Sequence, residues 1–179
     1  VLAPRRGYGT AVQAGMNHLR ADPPDVLVIL DGDHADDPGL VPTLVEPIAT
    51  GRADLVLTDR SRTAEPGALT PVQRFGNALA TRLIARSTGH RYADMGPFRA
   101  IRWDALLRLG MVDPTWGWNV EMQIKAVRAH LRILELPVPY RARARGQSKV
   151  SGTLRGAARA GVRILWAVRY YAHAPLPPP

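Results

Sequence analysis

The chain of 179 residues is 46% hydrophobic, which suffices for one globular domain with a full core, and its lack of cysteine excludes disulfides and thiolate metal sites. No apolar run approaches the ~18 residues that cross a bilayer and no signal peptide opens the chain, so we predict a soluble or peripheral protein. The 24 Lys and Arg residues against 15 Asp and Glu residues give a net charge of +9, which favours an anionic partner: a nucleotide, a lipid phosphate, a membrane surface or a nucleic acid.

The first predicted element is a glycine-rich loop that leads into a helix. Gly7 and Gly9 lie in the loop, and apolar residues recur at helical spacing from Thr10 to Leu19. Backbone N–H groups at a helix start can bind phosphate, so both glycines are candidate substrate-binding residues. The alternative is a tight turn without a ligand, because the loop has neither the third glycine of a dinucleotide fingerprint nor the Gly-Lys of a P-loop.

Residues 26–38 read VLVILDGDHADDP and change from apolar to acidic in one step. The five apolar, mostly branched residues predict a strand that is buried on both faces of a parallel α/β sheet. Ligands bind outside the carboxyl ends of such strands, so Asp31 and Asp33 are candidate ligands of a hard cation that also binds phosphates. The alternative is an ordinary turn, in which Asp and Gly are common.

A helix over 39–49 and a second apolar strand over 53–58 follow, and together they predict a right-handed βαβ unit. Arg60 comes just after this strand, again at a carboxyl end. A helix is then predicted over 71–87, because Pro71 suits its first turn and Gly89 its end.

The second half of the chain predicts a turn and short strand over 92–101, a helix over 104–109, and a helix with Glu121 in its first turn. An acidic residue at that position stabilises the helix dipole without any catalytic role. An edge strand over 131–138, which ends in Pro-Val-Pro, precedes a basic loop and a last helix with arginines at i, i+4 spacing. This helix either packs with its arginines in water or lies on an anionic membrane.

Four segments, in this order, resemble family 2 glycosyltransferases of the GT-A fold, in the branch similar to dolichyl-phosphate mannose synthase. They are RGYG with its helix, DGDHADDP after the first strand, GPFRAIR followed by WGWNVEMQ, and VPYRARARGQSKVSG. The resemblance implies a Rossmann-like α/β fold with a mostly parallel sheet flanked by helices. We predict a catalytic domain over 1–150 that is truncated at its N-terminus, a basic amphipathic helix over 151–172 and a proline-rich tail over 173–179.

The resemblance implies an enzyme that moves a sugar from a nucleotide-diphospho-sugar to an acceptor, with inversion at the anomeric carbon. Mg²⁺ or Mn²⁺ on Asp31 and Asp33 would offset charge on the leaving diphosphate. The expected acceptor is a lipid phosphate such as a polyprenyl phosphate, with a glycan or a small hydroxylated metabolite as the alternative. We expect a cytoplasmic protein that contacts the inner face of the membrane through 151–172, and no nucleic-acid partner.

The resemblance also assigns site residues. Arg60 and Arg74 match basic positions that face an acceptor phosphate, while Asp94 and Arg99 belong to the turn beside them and are further substrate-binding candidates. Glu121 matches an acidic residue that faces the acceptor, as a general base for a hydroxyl or an orienting group for a phosphate; with Asp33 it completes the predicted catalytic pair. A loop expected to close over the donor diphosphate contains Arg145, Gln147, Ser148 and Lys149.

Two features differ from the family pattern. Ala35 stands where many relatives have a polar residue that helps bind the metal, so Asp36, His34 or water would have to complete the coordination. The strand-helix-strand segment that binds base and ribose in relatives does not occur in this chain. The alternatives are therefore a non-catalytic module that binds polyanions or membranes, and an inactive truncated copy.

Overall fold

The computed structural model describes residues 1–3, 5–141 and 154–177, with the side chains of 154–160 excepted. Helices and strands alternate along most of this range, as an α/β domain requires. The helices are α1 (Tyr8–Leu19), α2 (Val41–Ala49), α3 (Pro71–Thr88), α4 (Trp103–Leu109), α5 (Trp118–Arg128) and α6 (Leu154–His173), and the strands are β1 (Val26–Ile29), β2 (Leu55–Asp59), β3 (Arg99–Arg102) and β4 (Ile133–Pro137).

The four strands of the described residues form one sheet in the order β1-β3-β2-β4. β2 and β4 pair in parallel, whereas β3 runs antiparallel to both β1 and β2, so three of the four strands share one direction. The turn that precedes β3 therefore lies at the same edge of the sheet as the residues that follow β1, β2 and β4. Ligands of open α/β sheets bind at this edge.

The burial of β1 differs from the prediction. Only Ile29 is buried, Val26, Leu27 and Val28 are half-buried, and Leu30 is exposed. The reason is that β1 pairs with β3 alone and forms one edge of the described sheet, while the insertion of β3 separates it from β2. β4 forms the other edge, which confirms the edge strand predicted over 131–138.

The core lies on both faces of the sheet, because successive side chains of a strand point to opposite sides. Leu55 and Leu57 pack with residues of α3, α4, α5 and α6, whereas Val56 packs with residues of α2. These three side chains are at most 1% exposed, and burial of each contributes about 1.5–3 kcal/mol. The sheet is thus the middle layer of an α/β/α sandwich, and the prediction of a sheet flanked by helices is confirmed.

α3 begins and ends where local sequence signals predict. The Thr70 hydroxyl accepts the Gln73 N–H and the Gln73 side chain accepts the Thr70 N–H, which forms a capping box just before Pro71. Gly89 ends the helix in the left-handed conformation, with φ 77°. α3 is consequently a well-defined wall for the space beside it.

α6 packs against α3 and α5. Its C-terminal end is tied to α5, because Nη1 of Arg128 donates to the carbonyls of Tyr171 and Ala174, at 2.8 and 2.5 Å. Across residues 1–3, 5–141 and 154–177, no helix combines the length and the apolar character needed to cross a membrane.

Candidate active site

A cavity of about 920 Å³ lies beside the edge of the sheet where β1, β2 and β4 end. The strand ends contribute the charged residues Asp31 and Arg60 to its lining, and the turn before β3 contributes Asp94. The rest of the wall is mostly apolar and comes from α3, α5 and α6. The larger apolar residues of the lining are Leu69, Val72, Phe75, Leu79, Met95, Trp116, Val120 and Ile164.

Asp31 and Asp33 follow β1 directly and are both half-buried. Oδ1 of Asp33 accepts the backbone N–H of Ala35 at 3.1 Å, which closes a tight turn in which His34 adopts a positive φ of 62°. The described residues contain no group of three His, Cys, Asp or Glu side chains that would enclose a metal ion. Two carboxylates at a strand end nevertheless fit a hard cation whose remaining ligands are diphosphate oxygens and water.

Asp36 follows this turn in the chain, and its side chain is buried, with 2% of the residue exposed. Neither of its carboxylate oxygens has a hydrogen-bond partner among the described residues. Burial raises its pKa to about 6, Arg60 opposes the rise, and the neighbouring carboxylates Asp31 and Asp33 add to it. The sequence suggested Asp36 only as a substitute metal ligand, because burial of an acidic residue in a polar loop leaves no local signal.

Arg60 is held rigidly at the cavity by Asp94. Its Nε and Nη2 donate to the two carboxylate oxygens of Asp94 at 2.6 and 3.1 Å, and its backbone N–H donates to the same carboxylate at 3.0 Å. The guanidinium also lies over the ring of Tyr140, 4.7 Å from its centroid. This use of Nε and Nη2 leaves Nη1 for a ligand, so the predicted binding role of Asp94 becomes the positioning of Arg60.

Arg74 and Phe75 lie on the first turns of α3, and both line the cavity. Arg74 is exposed, and Phe75 is 70% exposed. The two side chains therefore mark the mouth of the cavity on the α3 side.

Arg99, predicted to bind substrate, does not line this cavity. The side chain is completely buried, and its Nε and Nη2 donate to the carbonyls of Pro97 and Gly96. Burial lowers the pKa of the guanidinium, while Tyr8 and Tyr92 oppose that effect. Arg99 thus shapes the turn before β3 from the inside.

Glu121, predicted as a general base or an orienting group, is buried beneath the cavity lining and serves as a scaffold contact in this structure. Its carboxylate is completely buried and accepts the backbone N–H groups of Val112 and Asp113 at 2.9 and 2.7 Å. Nζ of Lys125 donates to it at 2.7 Å and also to the carbonyl of Gly110. These bonds hold the carboxylate against Val112, Asp113 and Lys125, and Glu121 does not line the cavity.

The glycine loop, predicted to bind phosphate, has a structural purpose in the described residues. The N–H groups of Gly9 and Thr10 donate to the carbonyls of Thr115 and Pro114. A Cβ on Gly7 would overlap the carbonyl oxygen of Pro114, and one on Gly9 would overlap that of Asp113. Both glycines therefore allow two backbone segments to touch.

The residue between these glycines was missed by sequence reasoning. Tyr8 lines the cavity, and its hydroxyl is buried without a hydrogen-bond partner among the described residues. Burial raises its pKa, Arg99 opposes that rise, and Asp31 and Asp36 add to it. The sequence signal that could have identified Tyr8 is its position between two glycines. The close backbone packing at Gly7 and Gly9 holds the aromatic ring at the cavity.

The family assignment comes from comparison with known proteins. The family model described as Glycosyl transferase family 2 matches residues 1–109, more than half of the chain. The chain belongs to glycosyl transferase family 2. This confirms the predicted family, and the matched residues include Asp31, Arg60, Arg74 and Asp94 of the cavity lining.

Two family 2 relatives illustrate the range of similarity. An uncharacterized glycosyltransferase of Mycobacterium bovis is 40% identical over 158 residues, which are 87% of this chain and 69% of that protein. The undecaprenyl-phosphate mannosyltransferase of Micrococcus luteus is 31% identical over 162 residues, which are 85% of this chain and 64% of that protein.

The fold is similar to that of glucosyl-3-phosphoglycerate synthase from Mycobacterium tuberculosis, solved with Mn²⁺, uridine diphosphate and phosphoglyceric acid. The TM-score is 0.70 at 20% sequence identity, over 97% of this chain. This chain spans 57% of the length of the synthase chain. The likeness confirms the predicted fold class.

The structure thus brings together four of the predicted family 2 site residues, Asp31, Arg60, Arg74 and Asp94, along one cavity, with Asp33 on the adjoining turn. The other predicted site residues of the described range, Arg99, Glu121, Gly7 and Gly9, do not line this cavity. The predicted loop residues lie outside the described residues; they are Arg145, Gln147, Ser148 and Lys149.

Proposed function

We propose that this protein transfers a sugar from a nucleotide-diphospho-sugar to a polyprenyl phosphate, with inversion at the anomeric carbon. The observation that carries the proposal is the composition of the cavity. Arg60 and Asp31 supply opposite charges where the strands end, and the remaining walls from α3, α5 and α6 are mostly apolar. A phosphate attached to a hydrocarbon chain matches such a lining, because the phosphate can contact Arg60 while the hydrocarbon chain contacts the apolar walls.

In the proposed reaction, a phosphate oxygen of the acceptor attacks the anomeric carbon from the face opposite the nucleotide. The bond between that carbon and the diphosphate oxygen breaks, and its electron pair leaves with the nucleoside diphosphate. Arg60 is the proposed phosphate ligand, and its bidentate pairing with Asp94 fixes the direction of the remaining N–H groups. Arg74 supplies a second positive charge at the mouth.

The scarcity of a suitable base supports a phosphate acceptor over a hydroxyl acceptor. In the described part of the chain, the carboxylates that line the cavity are Asp31 and Asp94. Asp94 is bound to Arg60, and Asp31 belongs to the proposed metal site. A phosphate is already ionised at neutral pH and needs no base, whereas a sugar hydroxyl does.

Asp31 and Asp33 are the proposed ligands of Mg²⁺ or Mn²⁺. Both are half-buried, lie next to each other in the turn after β1, and present oxygen donors of the kind these ions prefer. A divalent ion bound there would neutralise charge that develops on the leaving diphosphate. The Mn²⁺ and uridine diphosphate found with glucosyl-3-phosphoglycerate synthase support the proposed metal site. The undecaprenyl phosphate in the name of the Micrococcus luteus relative supports the proposed lipid-phosphate acceptor.

The test measures transfer of radiolabelled sugar into the organic phase, with undecaprenyl phosphate as acceptor and a panel of nucleotide-sugars as donors. The protein is produced with any coding sequence that continues in frame before Val1. We expect transfer that requires a divalent cation and a lipid phosphate. Asp33→Asn is expected to lower the rate about a hundredfold or more, whereas the exposed Asp22→Asn leaves it unchanged.

A second pair of variants tests the acceptor site. Arg60→Lys is expected to raise KM for the lipid phosphate about tenfold, because lysine cannot keep both bonds to Asp94 and still present a fixed donor. Arg62→Lys, an exposed change two residues away, is the control. Equal turnover with a soluble phosphate or a glycan in place of the lipid would contradict the polyprenyl acceptor, and unchanged activity in Asp33→Asn would contradict the metal site.

A further inference from the structure

We propose that the outer faces of α3 and α6 form a docking surface for an anionic lipid bilayer. This surface, called the α3–α6 surface below, consists of the exposed apolar residues of two helices that pack side by side. Its members are Val72, Phe75, Val162, Leu165, Trp166 and Tyr170.

The exposure of these residues is unusual for side chains of their size. Phe75 is 70% exposed, Val162 67%, Leu165 49%, Trp166 46% and Tyr170 50%. Single exposed apolar residues are ordinary, but several on neighbouring helices mark an interaction site.

On α6, the exposed residues share one helix face, since positions 162, 165, 166 and 170 recur every three or four residues. The opposite face is also apolar and is buried against the domain through Ile164, Ala167, Val168 and Tyr171. The packing of α6 therefore does not need the outer apolar face. That face is available for a partner.

The charge of both helices indicates the chemistry of this partner. α3 and α6 together contain seven arginines and no Asp or Glu. Five of them have described side chains, Arg74, Arg82, Arg86, Arg163 and Arg169, and of these Arg163 is paired with Asp113. An acid-free pair of basic helices is attracted to anionic lipid headgroups, while two copies of the same surface repel each other.

The aromatic residues favour a bilayer over a nucleic acid. Trp166 stacks on Tyr170 with ring centroids 4.9 Å apart, and the guanidinium of Arg163 lies 4.2 Å from the centroid of the Trp166 ring. Trp and Tyr are enriched at membrane interfaces, where rings reach the acyl boundary and polar groups remain in water. The aliphatic side chains of Val162 and Leu165 gain by burial in lipid, but they have no counterpart in a phosphate backbone.

The α3–α6 surface adjoins the cavity. Val72 and Phe75 belong to both, and Gly161 and Ile164 of α6 line the cavity from the other side. A lipid acceptor could thus pass from the bilayer into the cavity without crossing water. The docking surface goes beyond the proposed function and does not depend on it, because membrane binding is measured without donor or acceptor.

The test is co-sedimentation of the protein with phosphatidylcholine vesicles, with and without phosphatidylglycerol. We expect binding that requires the anionic lipid and weakens with added salt. The variant Val162→Ser/Leu165→Ser changes no cavity-lining residue and is expected to weaken binding about tenfold or more. The matched control, Leu107→Ser/Val112→Ser, changes exposed apolar residues elsewhere and is expected to bind like the wild type.

Circular dichroism establishes that each variant is folded. If the Val162→Ser/Leu165→Ser protein does not fold, Arg82→Gln/Arg169→Gln replaces it, with the expectation of weaker binding to anionic vesicles. Equal binding of wild type and surface variant would overturn the proposal. So would binding to a DNA duplex without binding to vesicles, or a dimer in sedimentation velocity that the surface variant abolishes. Loss of sugar transfer with intact vesicle binding would contradict only the proposed reaction.

Discussion

Two buried acidic residues of this protein differ in how their charge is satisfied. The carboxylate of Glu121 accepts two backbone N–H groups and the ammonium of Lys125, whereas both oxygens of Asp36 lack a partner among the described residues. Buried polar groups are almost always hydrogen-bonded, so the exception needs an explanation. We infer that Glu121 belongs to the scaffold and that Asp36 marks the ligand-binding side of the domain.

The neighbours of each residue strengthen this contrast. Near Glu121, the carboxylate of Asp113 accepts bonds from Thr115, from Nη2 of Arg163 at 2.7 Å and from the hydroxyl of Tyr171 at 3.0 Å. This group joins α5, α6 and the loop before α5. Near Asp36, the buried hydroxyl of Tyr8 is also without a partner among the described residues. The hydrogen-bonded carboxylates of Glu121 and Asp113 thus join helices, whereas the polar groups of Asp36 and Tyr8 lack partners among the described residues and lie close enough to Asp31 to interact with it electrostatically.

The largest effect on stability is expected from Glu121→Ala. The change leaves the ammonium of Lys125 buried without its counter-ion and frees the N–H groups of Val112 and Asp113. We expect the free energy of unfolding to fall by about 3–5 kcal/mol in urea denaturation. The exposed Glu46→Ala is the control, with an expected change below about 1 kcal/mol. A loss of comparable size in both variants would refute the scaffold role.

A smaller loss is expected from Gly9→Ala, which probes the contact between the glycine loop and the Asp113 segment. The added methyl group would overlap the carbonyl of Asp113, so the two backbone segments must separate, at a cost of about 2–3 kcal/mol. Gly15→Ala in the same helix adds a methyl group with no atom within 4 Å and should stabilise α1 by about 0.5–1 kcal/mol. Urea denaturation measures both variants. A lower free energy of unfolding for Gly9→Ala with a higher one for Gly15→Ala would support the tight backbone contact at Gly9, and an increase in both variants would contradict it.

The smallest effect concerns Asp36 and has the opposite sign. Because its pKa is raised from 3.8 to about 6 when folded, the folded protein holds a proton between these pH values that the unfolded chain has lost. The free energy of unfolding therefore decreases as pH rises from about 4 to 6, and the ionised carboxylate is destabilising above that range. The pKa shift corresponds to about 3 kcal/mol, but the buried amide of Asn would also lack a hydrogen-bond partner. Asp36→Asn is therefore expected to stabilise the protein by about 1–2 kcal/mol at pH 8, with the gain vanishing at pH 4.

Asp54→Asn is the control for this pH dependence. Hydrogen bonds from Arg132, opposed by burial, lower the pKa of Asp54 to about 2, so its ionised form stabilises the fold above about pH 4. The control should therefore lose stability at pH 8. A destabilised Asp36→Asn protein at pH 8 would mean that Asp36 has a partner in solution and that the contrast with Glu121 does not hold.

Local signals in the sequence determined several elements of the fold. The capping box at Thr70, the proline at position 71 and Gly89 define α3, because each acts through neighbours within a few residues. The change from apolar to acidic residues after Leu30 placed Asp31 and Asp33 at a strand end for the same reason. The family resemblance came from four sequence segments in a fixed order, one of which contains these two residues, and the family is confirmed.

Tertiary contacts decided the roles of the charged residues. Arg60 and Asp94 are 34 positions apart and meet because β3 inserts antiparallel beside β2, and Glu121 is occupied because the segment from Gly110 to Asp113 folds over it. A carboxylate has the same sequence signature whether it faces a cavity or a buried ammonium, since burial and partner are set by residues distant in the chain. The sequence by itself therefore determined where charges occur, and only the packed structure decided which of them remain free for a ligand.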